Sequence, residues 1–197
     1  MIRLAIFASG TGSNAANIMR YFKSKTEQIS VDCILTNKQD AGVVAVAEQY
    51  SVPCFYFSNK EFEQADEPLK MLQSRAIDWI ILGGFLRKIS PKIINKFTNR
   101  ILNIHPSLLP KYGGFGMYGD HVHRAVIDAK ETESGITVHL VNENFDEGKI
   151  VSQKRCSIGS NETLEGLKQK IQELEQAYFP SIIEKYIVEN TNSSEPS

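Results

Sequence analysis

"IRLAIFASGTGSNAANIM", residues 2–19, contains the elements that decide the fold class. The apolar run 2–8 predicts a buried strand, and "SGTGSN" predicts a tight turn into a helix near residues 14–24. A continuously apolar strand followed at once by a helix is typical of a parallel sheet that is covered on both faces. The remainder of the chain is therefore expected to continue a βα alternation.

Outward from this unit the alternation is repeated. Further strands are predicted at 29–36, 53–57, 76–85 and 100–104, and further helices at 41–50, 61–75, 90–97 and 121–130. After Gly135, two runs of alternating polarity flank "ENFDEG" and predict an antiparallel pair near the end of the sheet. A last helix is predicted from Leu164, kinked or interrupted near Pro180. The polar ending "NTNSSEPS", residues 190–197, predicts a disordered tail.

Charge and composition narrow the class of partner. The 197 residues suit one domain, and the net charge of -1 provides no global field for nucleic acid or an anionic membrane. The three cysteines are far apart and form no CxxC motif, which favours reduced thiols in a cytosolic protein. No apolar stretch is long enough to cross a bilayer, so a cytoplasmic protein is expected.

The glycine turn after the first strand is a candidate phosphate site. Gly10 and Gly12 allow backbone angles and close approach that a Cβ would prevent. Ser13 and Asn14 stand at the helix start, where free N–H groups and the helix dipole favour an anion. The alternative is an ordinary capped turn. The pattern favours a phosphate.

A dinucleotide is disfavoured at this turn. Gly10, Gly12 and Ala15 match G-x-G-x-x-A, but that motif alone is weak. A nicotinamide site also requires an acidic residue at the end of the second strand, and here Asn37 and Lys38 stand at that place. A smaller phosphorylated ligand is the better interpretation.

Asn103 and His105 form the candidate reaction centre. They lie two residues apart near the end of a predicted strand, so both face one side, at the edge where open α/β sheets bind ligands. An amide and an imidazolium can stabilise an oxyanion, and the imidazolium can transfer a proton. No G-x-S-x-G elbow provides a nucleophile, which favours direct transfer between two bound molecules. Asp146 is the candidate carboxylate to raise the pKa of His105, although the pattern alone predicts only a turn residue.

Several motifs together carry a resemblance to a known family. "GTGSN", "GGFLRKISP", "LNIHPSLLPKYGG", "SGITVHLVNENFDEGKIVSQ" and "LEQAYFP" resemble the glycinamide ribonucleotide formyltransferases, folate-dependent enzymes of purine biosynthesis. The resemblance extends to about residue 186. It implies a three-layer α/β/α sandwich around a mostly parallel, Rossmann-like sheet of about seven strands, with one antiparallel strand near the C-terminal edge. It also implies a single catalytic domain, residues 1–189.

The resemblance assigns the acceptor, 5-phosphoribosylglycinamide, to one end of a site. It implies that Gly12, Ser13 and Asn14 hold the phosphate. It further implies that Gln172 and Glu175 contact the ribose and glycine end. Without the resemblance, Gln172 and Glu175 would be a solvated helix face.

The resemblance also assigns the donor, 10-formyltetrahydrofolate. The residues implied to line the folate pocket are Leu86, Arg87, Lys88 and Ile89. Asn103 and His105 would flank the formyl group carried on the folate, and Asp146 would keep His105 charged. Small-molecule substrates, no nucleic acid, no membrane and a monomer or weak homodimer are expected.

Two departures from the family pattern leave contacts open. Gln64 and Ala65 stand where many bacterial members carry an arginine, so that contact is not transferred to this chain. The insert "GGFGMYG", residues 113–119, lengthens a loop and predicts a mobile lid. His121 and His123 beside Asp120 could suggest zinc, but they point in different directions and formyl transfer needs no metal, so none is expected. These two histidines and His139 are interpreted as supporting or structural.

Three rival functions remain at this level. A formyltetrahydrofolate hydrolase would use the same triad with water as the acceptor, usually with an added N-terminal domain. A methionyl-tRNA formyltransferase would need an added C-terminal domain with a basic surface. A non-catalytic phosphate-ligand binding module is the rival from another class.

Overall fold

A computed structural model describes residues 1–25 and 28–191 and places a seven-stranded sheet at the centre of the chain. The strands are β1 Ile2–Phe7, β2 Ile29–Thr36, β3 Cys54–Tyr56, β4 Trp79–Leu82, β5 Ile101–His105, β6 Glu133–Leu140 and β7 Ile150–Ser157. Their order across the sheet is β3-β2-β1-β4-β5-β6-β7. The crossovers on both sides of β1 give the doubly wound topology of an open α/β sheet.

The strand directions confirm the predicted sheet. β1 pairs in parallel with β2 and β4, and β2–β3 and β4–β5 are also parallel. β6 is antiparallel to both β5 and β7. Among the described strands, β6 alone therefore runs against the others, next to the edge of the sheet.

Helices cover both faces and complete the predicted three-layer sandwich. They are α1 Ser13–Lys25, α2 Gly42–Gln49, α3 Asn59–Gln64, α4 Asp66–Ser74, α5 Pro91–Lys96, α6 Asp120–Asp128 and α7 Leu164–Thr191. One core lies under α1, α2, α6 and α7, and the other under α3, α4 and α5. Leu4 and Ile6 of β1 enter the first core, while Ala5 and Phe7 enter the second, as the period of two requires.

The single helix predicted over residues 61–75 is wrong. The chain instead forms α3 and α4, which meet at the buried Ala65 in a left-handed conformation with φ of 65°. Ser58 and Glu61 form a capping box at the start of α3. The S-x-x-E spacing was the available sequence signal, but the break at an alanine has none, because tertiary burial imposes it.

Of the kink or interruption predicted near Pro180, the interruption is wrong, and the kink stays a prediction. α7 continues through Pro180, which is buried with Phe179 and Ile183 against the sheet. Burial of these neighbours compensates for the hydrogen bond that a proline removes. Residues 190 and 191 of the predicted tail belong to α7, and the rest of that tail lies outside the described residues. No helix within residues 1–25 and 28–191 is long and apolar enough to cross a membrane.

Gly12 closes the turn between β1 and α1 against α2. Its φ is +82°, and a Cβ there would lie 2.8 Å from the Cα of Val43, a backbone atom that cannot swing aside. Gly116 has the same φ of +82° but open space around the Cβ position. An alanine at position 116 would therefore meet backbone strain alone, whereas an alanine at position 12 would meet the same strain and a steric clash.

We expect Gly12→Ala to lower the free energy of unfolding by about 3 kcal/mol, because strain and overpacking add. Gly116→Ala, as the matched control, should cost only about 1 kcal/mol of strain. Urea unfolding of both variants measures the difference. Equal losses would show that Val43 moves aside without cost.

Candidate active site

A cleft of about 610 Å³ opens at the carboxyl ends of the parallel strands. Segments that contribute to its walls lie within residues 11–14, 82–89, 103–106, 114–123, 139–146 and 168–175. Most of these segments are loops or element ends, which rigid strands and helices hold in place. The cleft lies where the doubly wound topology predicts a ligand site.

The three residues predicted for catalysis converge in this cleft. β5 positions both Asn103 and His105, and Asp146 arrives from the turn between β6 and β7. His105 Nδ1 lies 3.4 Å from Asp146 Oδ2. The Nδ2 amide of Asn103 donates to Asp146 Oδ1 at 3.5 Å. The structure thus brings Asp146 to side chains of β5 that are more than forty residues away in the sequence.

Asp146 uses each carboxylate oxygen for a different group of neighbours. Oδ1 faces Asn103 and also lies 3.5 Å from His139 Nε2. Oδ2 faces His105 and accepts a hydrogen bond from the Gly114 N–H at 3.0 Å. The backbone of Asp146 has φ of 56°, a left-handed conformation that aspartate tolerates better than most residues. One carboxylate therefore joins β5, β6 and the glycine-rich loop.

Burial and charge oppose each other at this cluster. Burial raises the pKa of Asp146, but His139, His105 and the Gly114 N–H outweigh it and hold that pKa below its usual value. Burial lowers the pKa of His105 below its usual value, although Asp146 and the Tyr112 carbonyl oppose the shift. Asp146 thus acts to raise the pKa of His105, but desolvation of the imidazolium exceeds the attraction of the carboxylate.

His139 is a member of the cluster whose place the sequence did not indicate. The β5–β6 register places His139 directly opposite Asn103. Its Nδ1–H donates to the Leu140 carbonyl at 2.8 Å, and its Nε2 lies 3.0 Å from the Asn103 amide nitrogen. The alternation in "ITVHLV" indicates which residues lie on the same face of β6 as His139. It does not indicate which residue of β5 lies opposite His139, because that depends on the pairing of the two strands.

Four of the five residues predicted to bind the nucleotide line the cleft. Ser13 and Asn14 line it from the first turn of α1, and Gln172 and Glu175 line it from α7. Asn14 Nδ2 donates to Glu175 Oε2 at 2.9 Å. Burial raises the pKa of Glu175, and this hydrogen bond opposes the shift. Gly12 is not among the described residues that form the cleft wall, and its role is to shape the turn before α1.

The four predicted folate-pocket residues all line the cleft: Leu86, Arg87, Lys88 and Ile89. Arg87 donates to Glu63 of α3 at 2.9 Å, so its guanidinium is held in an exposed ion pair. Lys88 Nζ lies 6.0 Å from the centre of the Phe145 ring. Ile89 is buried and adds apolar surface to the pocket.

The glycine-rich insert forms one side of the cleft entrance. Residues 114–119 all contribute to the wall. The ring of Phe115 is 90% exposed and contacts only one aromatic ring among those described, Phe145, edge to face at 5.9 Å between centroids. The mobility of this glycine-rich insert stays a prediction.

The H-x-H motif divides between two environments. His123 is buried and lines the cleft, whereas the exposed His121 packs against the ring of Tyr118. Asp120 pairs with Lys168 at 3.1 Å. No group of three or more His, Cys, Asp or Glu side chains among the described residues is arranged to hold a metal ion.

The fold and this cleft define a class of group-transfer enzyme. Residues 2–183 match the sequence profile of the formyl transferase family, and the chain belongs to that family. It is 36% identical over 187 residues to phosphoribosylglycinamide formyltransferase of Haemophilus influenzae, an alignment that covers 93% of this chain and 86% of that protein. The chloroplastic phosphoribosylglycinamide formyltransferase of Arabidopsis thaliana is 34% identical over 92% of this chain, which spans only 64% of that longer relative.

A solved structure agrees with these relatives. The crystal structure of phosphoribosylglycinamide formyltransferase from Bacillus halodurans superposes with a TM-score of 0.86 at 33% identity. The match covers 94% of this chain and 95% of that one. The two chains therefore share their fold over nearly their whole length.

We expect Asp146→Asn to lower the pKa of His105 further, because it removes the carboxylate that favours the imidazolium. Nuclear magnetic resonance titration of the imidazole ring measures this pKa. Glu147→Gln is the matched control, since Glu147 is the adjacent exposed carboxylate and accepts from Asn144 instead. An unchanged pKa of His105 in Asp146→Asn would contradict the electrostatic coupling.

Proposed function

We propose that the protein transfers a formyl group from 10-formyltetrahydrofolate to the glycyl amine of 5-phosphoribosylglycinamide, forming N-formylglycinamide ribonucleotide in de novo purine biosynthesis. The observation that carries this proposal is the convergence of Asn103, His105 and Asp146 in one cleft. The names of the relatives support the choice of acceptor. We assign the activity to one catalytic domain, residues 1–189.

The nucleotide is assigned to the end of the cleft beside α1. Ser13 and Asn14 lie in the first turn of this 13-residue helix, where backbone N–H groups and the helix dipole attract a phosphate. The left-handed Gly12 shapes the turn that leads there. Gln172 and Glu175 face the same space from α7 and offer hydrogen bonds to ribose hydroxyls.

The folate is assigned to the pocket of segment 86–89, where the Arg87 guanidinium pairs with Glu63 and Lys88 Nζ lies over the Phe145 ring of the same cleft. That arrangement leaves the backbone and the apolar side chains of Leu86 and Ile89 for a flat heterocycle. Asn103 lines the same cleft, and we assign its amide to the formyl group that passes between the two substrates. 10-Formyltetrahydrofolate is a co-substrate here, and formyl transfer needs no metal.

The reaction forms one C–N bond and breaks another. The neutral glycyl amine attacks the formyl carbon, and the carbonyl oxygen becomes an oxyanion. Asn103 donates a hydrogen bond to that oxyanion, and protonated His105 adds positive charge beside it. The bond from carbon to the folate nitrogen then breaks, and the proton lost by the amine passes to that nitrogen through water near Asp146.

His105 becomes more basic as the reaction proceeds. Burial lowers the pKa of His105 in the structure, with Asp146 as the opposing anion. The developing oxyanion adds a second negative charge beside the same ring. Protonation of His105 is therefore most favourable when the oxyanion forms, which is the condition for selective stabilisation of the transition state.

The three unpaired thiols, Cys33, Cys54 and Cys156, fit a reducing compartment, and we place the reaction in the cytoplasm. The net charge of -1 gives no overall attraction to nucleic acid or to an anionic membrane, so we propose small-molecule substrates as the partners. A monomer or weak homodimer stays our prediction for the assembly.

Release of the folate product should depend on the nucleotide. We expect 10-formyltetrahydrofolate to be consumed only when 5-phosphoribosylglycinamide is present, with formation of one formylated nucleotide for each folate released. Absorbance of the folate product measures the rate in both conditions. Release without nucleotide would indicate a hydrolase, and no release in either condition would indicate a binding module.

His105→Ala and Asp146→Ala should each lower kcat by about 10²-fold or more, with little change in nucleotide KM, because both act on the transition state. His121→Ala is the matched control, an exposed histidine outside the cleft wall that the described residues form. Turnover unchanged in His105→Ala or Asp146→Ala would remove that residue from the mechanism.

A further inference from the structure

The His105 ring is held on its second nitrogen by the backbone of Tyr112. His105 Nε2–H donates to the Tyr112 carbonyl at 2.7 Å, the shortest contact that this ring makes among the described residues. Tyr112 has φ of 57°, a left-handed conformation that is unfavourable for a residue with a bulky side chain. The direction of its carbonyl therefore depends on whatever holds Tyr112 in that conformation.

Glu131 holds the other end of Tyr112. The Tyr112 hydroxyl donates to Glu131 Oε1 at 2.9 Å, and the same oxygen pairs with Lys111 Nζ at 2.8 Å. The peptide before Tyr112 is fixed as well, because Ser107 Oγ donates to the Lys111 carbonyl at 2.7 Å. The wall of the cleft, as the described residues form it, includes neither Tyr112 nor Glu131.

We propose that Glu131 is a positioning residue for formyl transfer, which fixes Tyr112 through its hydroxyl so that the Tyr112 carbonyl holds the imidazole of His105 in line with Asp146. This inference rests on the proposed function and extends it to a residue outside the cleft. Glu131 acts through two hydrogen bonds in series. The Tyr112 phenol donates the first to the Glu131 carboxylate, and the His105 imidazole donates the second to the Tyr112 carbonyl.

The arrangement determines how the ring is oriented and which protons it carries. A carbonyl can only accept, so Nε2 carries a proton and Nδ1 is directed to Asp146. Without the hydrogen bond between its hydroxyl and Glu131, Tyr112 can relax from the left-handed conformation, and its carbonyl can move away from His105. A displacement of about 1 Å at a reacting group can cost 10²-fold in rate.

Other charged and titratable groups also face His105, and they stay in place when Glu131 changes. Asp146 faces it from the β6–β7 turn, His139 from β6 and His123 from α6. The Tyr112 carbonyl favours the protonated form of His105, so its withdrawal should lower the pKa of that ring. A change in this pKa reports on the carbonyl rather than on folding in general.

The test compares four variants in the full chain. Tyr112→Phe removes only the hydroxyl, and Glu131→Ala removes its acceptor. Glu131→Gln keeps an amide oxygen that can accept from the phenol. Glu133→Ala is the matched control, a nearby exposed glutamate that pairs with Arg155 rather than Tyr112. For each variant, kcat and KM are measured with 10-formyltetrahydrofolate and 5-phosphoribosylglycinamide, and the pKa of His105 is measured by nuclear magnetic resonance.

We expect Tyr112→Phe and Glu131→Ala to lower kcat about tenfold, the effect of one charge-assisted hydrogen bond, while nucleotide KM stays within about twofold. Both variants should lower the pKa of His105. Glu131→Gln should restore most of kcat, and Glu133→Ala should match the wild type.

Unchanged kcat and an unchanged pKa of His105 in Tyr112→Phe, the mildest substitution, would overturn the proposal. A loss of kcat with an unchanged pKa would also overturn it, because that result indicates a structural effect elsewhere. Absence of formyl transfer by the wild-type protein would instead refute the proposed function. The two failures are distinguishable, because the proposed function is tested on the wild type and the role of Glu131 on the variants.

Discussion

One largely buried carboxylate connects the parts of the candidate active site. Asp146 faces His105 and Asn103 from β5, His139 from β6 and the Gly114 amide from the glycine-rich loop. These neighbours keep its pKa low despite burial, so the carboxylate carries its charge at neutral pH. A buried charge is stable only when such partners surround it, which ties the geometry of the loop and both strands to one side chain.

The sheet topology supplies the setting in which that carboxylate meets its partners. Parallel strands β1, β4 and β5 deliver their carboxyl ends to one edge, so the turn before α1 and the end of β5 face one cleft. β6 reverses direction beside β5, and that reversal places His139 opposite Asn103. The carboxyl end of β6 lies beside the amino end of β5, and the segment that follows β6 brings Asp146 back to Asn103 and His105.

The pKa of His105 is not set by the neighbouring carboxylate alone. Burial of His105 favours the neutral ring, while Asp146 and the Tyr112 carbonyl favour the charged one. A ring balanced in this way responds strongly to a nearby oxyanion. The same balance makes the ring sensitive to residues that only orient it, since small changes in contact alter which form is favoured.

The sequence alone determined the fold class, the direction of most strands and the type of chemistry. Apolar runs alternating with helices, the glycine turn and the Asn103–His105 spacing are local patterns, and the family motifs identified Asp146. The break at Ala65, the continuity of α7 through Pro180, the place of His139 and the net pKa of His105 were decided by tertiary structure. Each depends on burial or strand register, which are set by contacts between segments far apart in the chain and leave no mark in a local pattern.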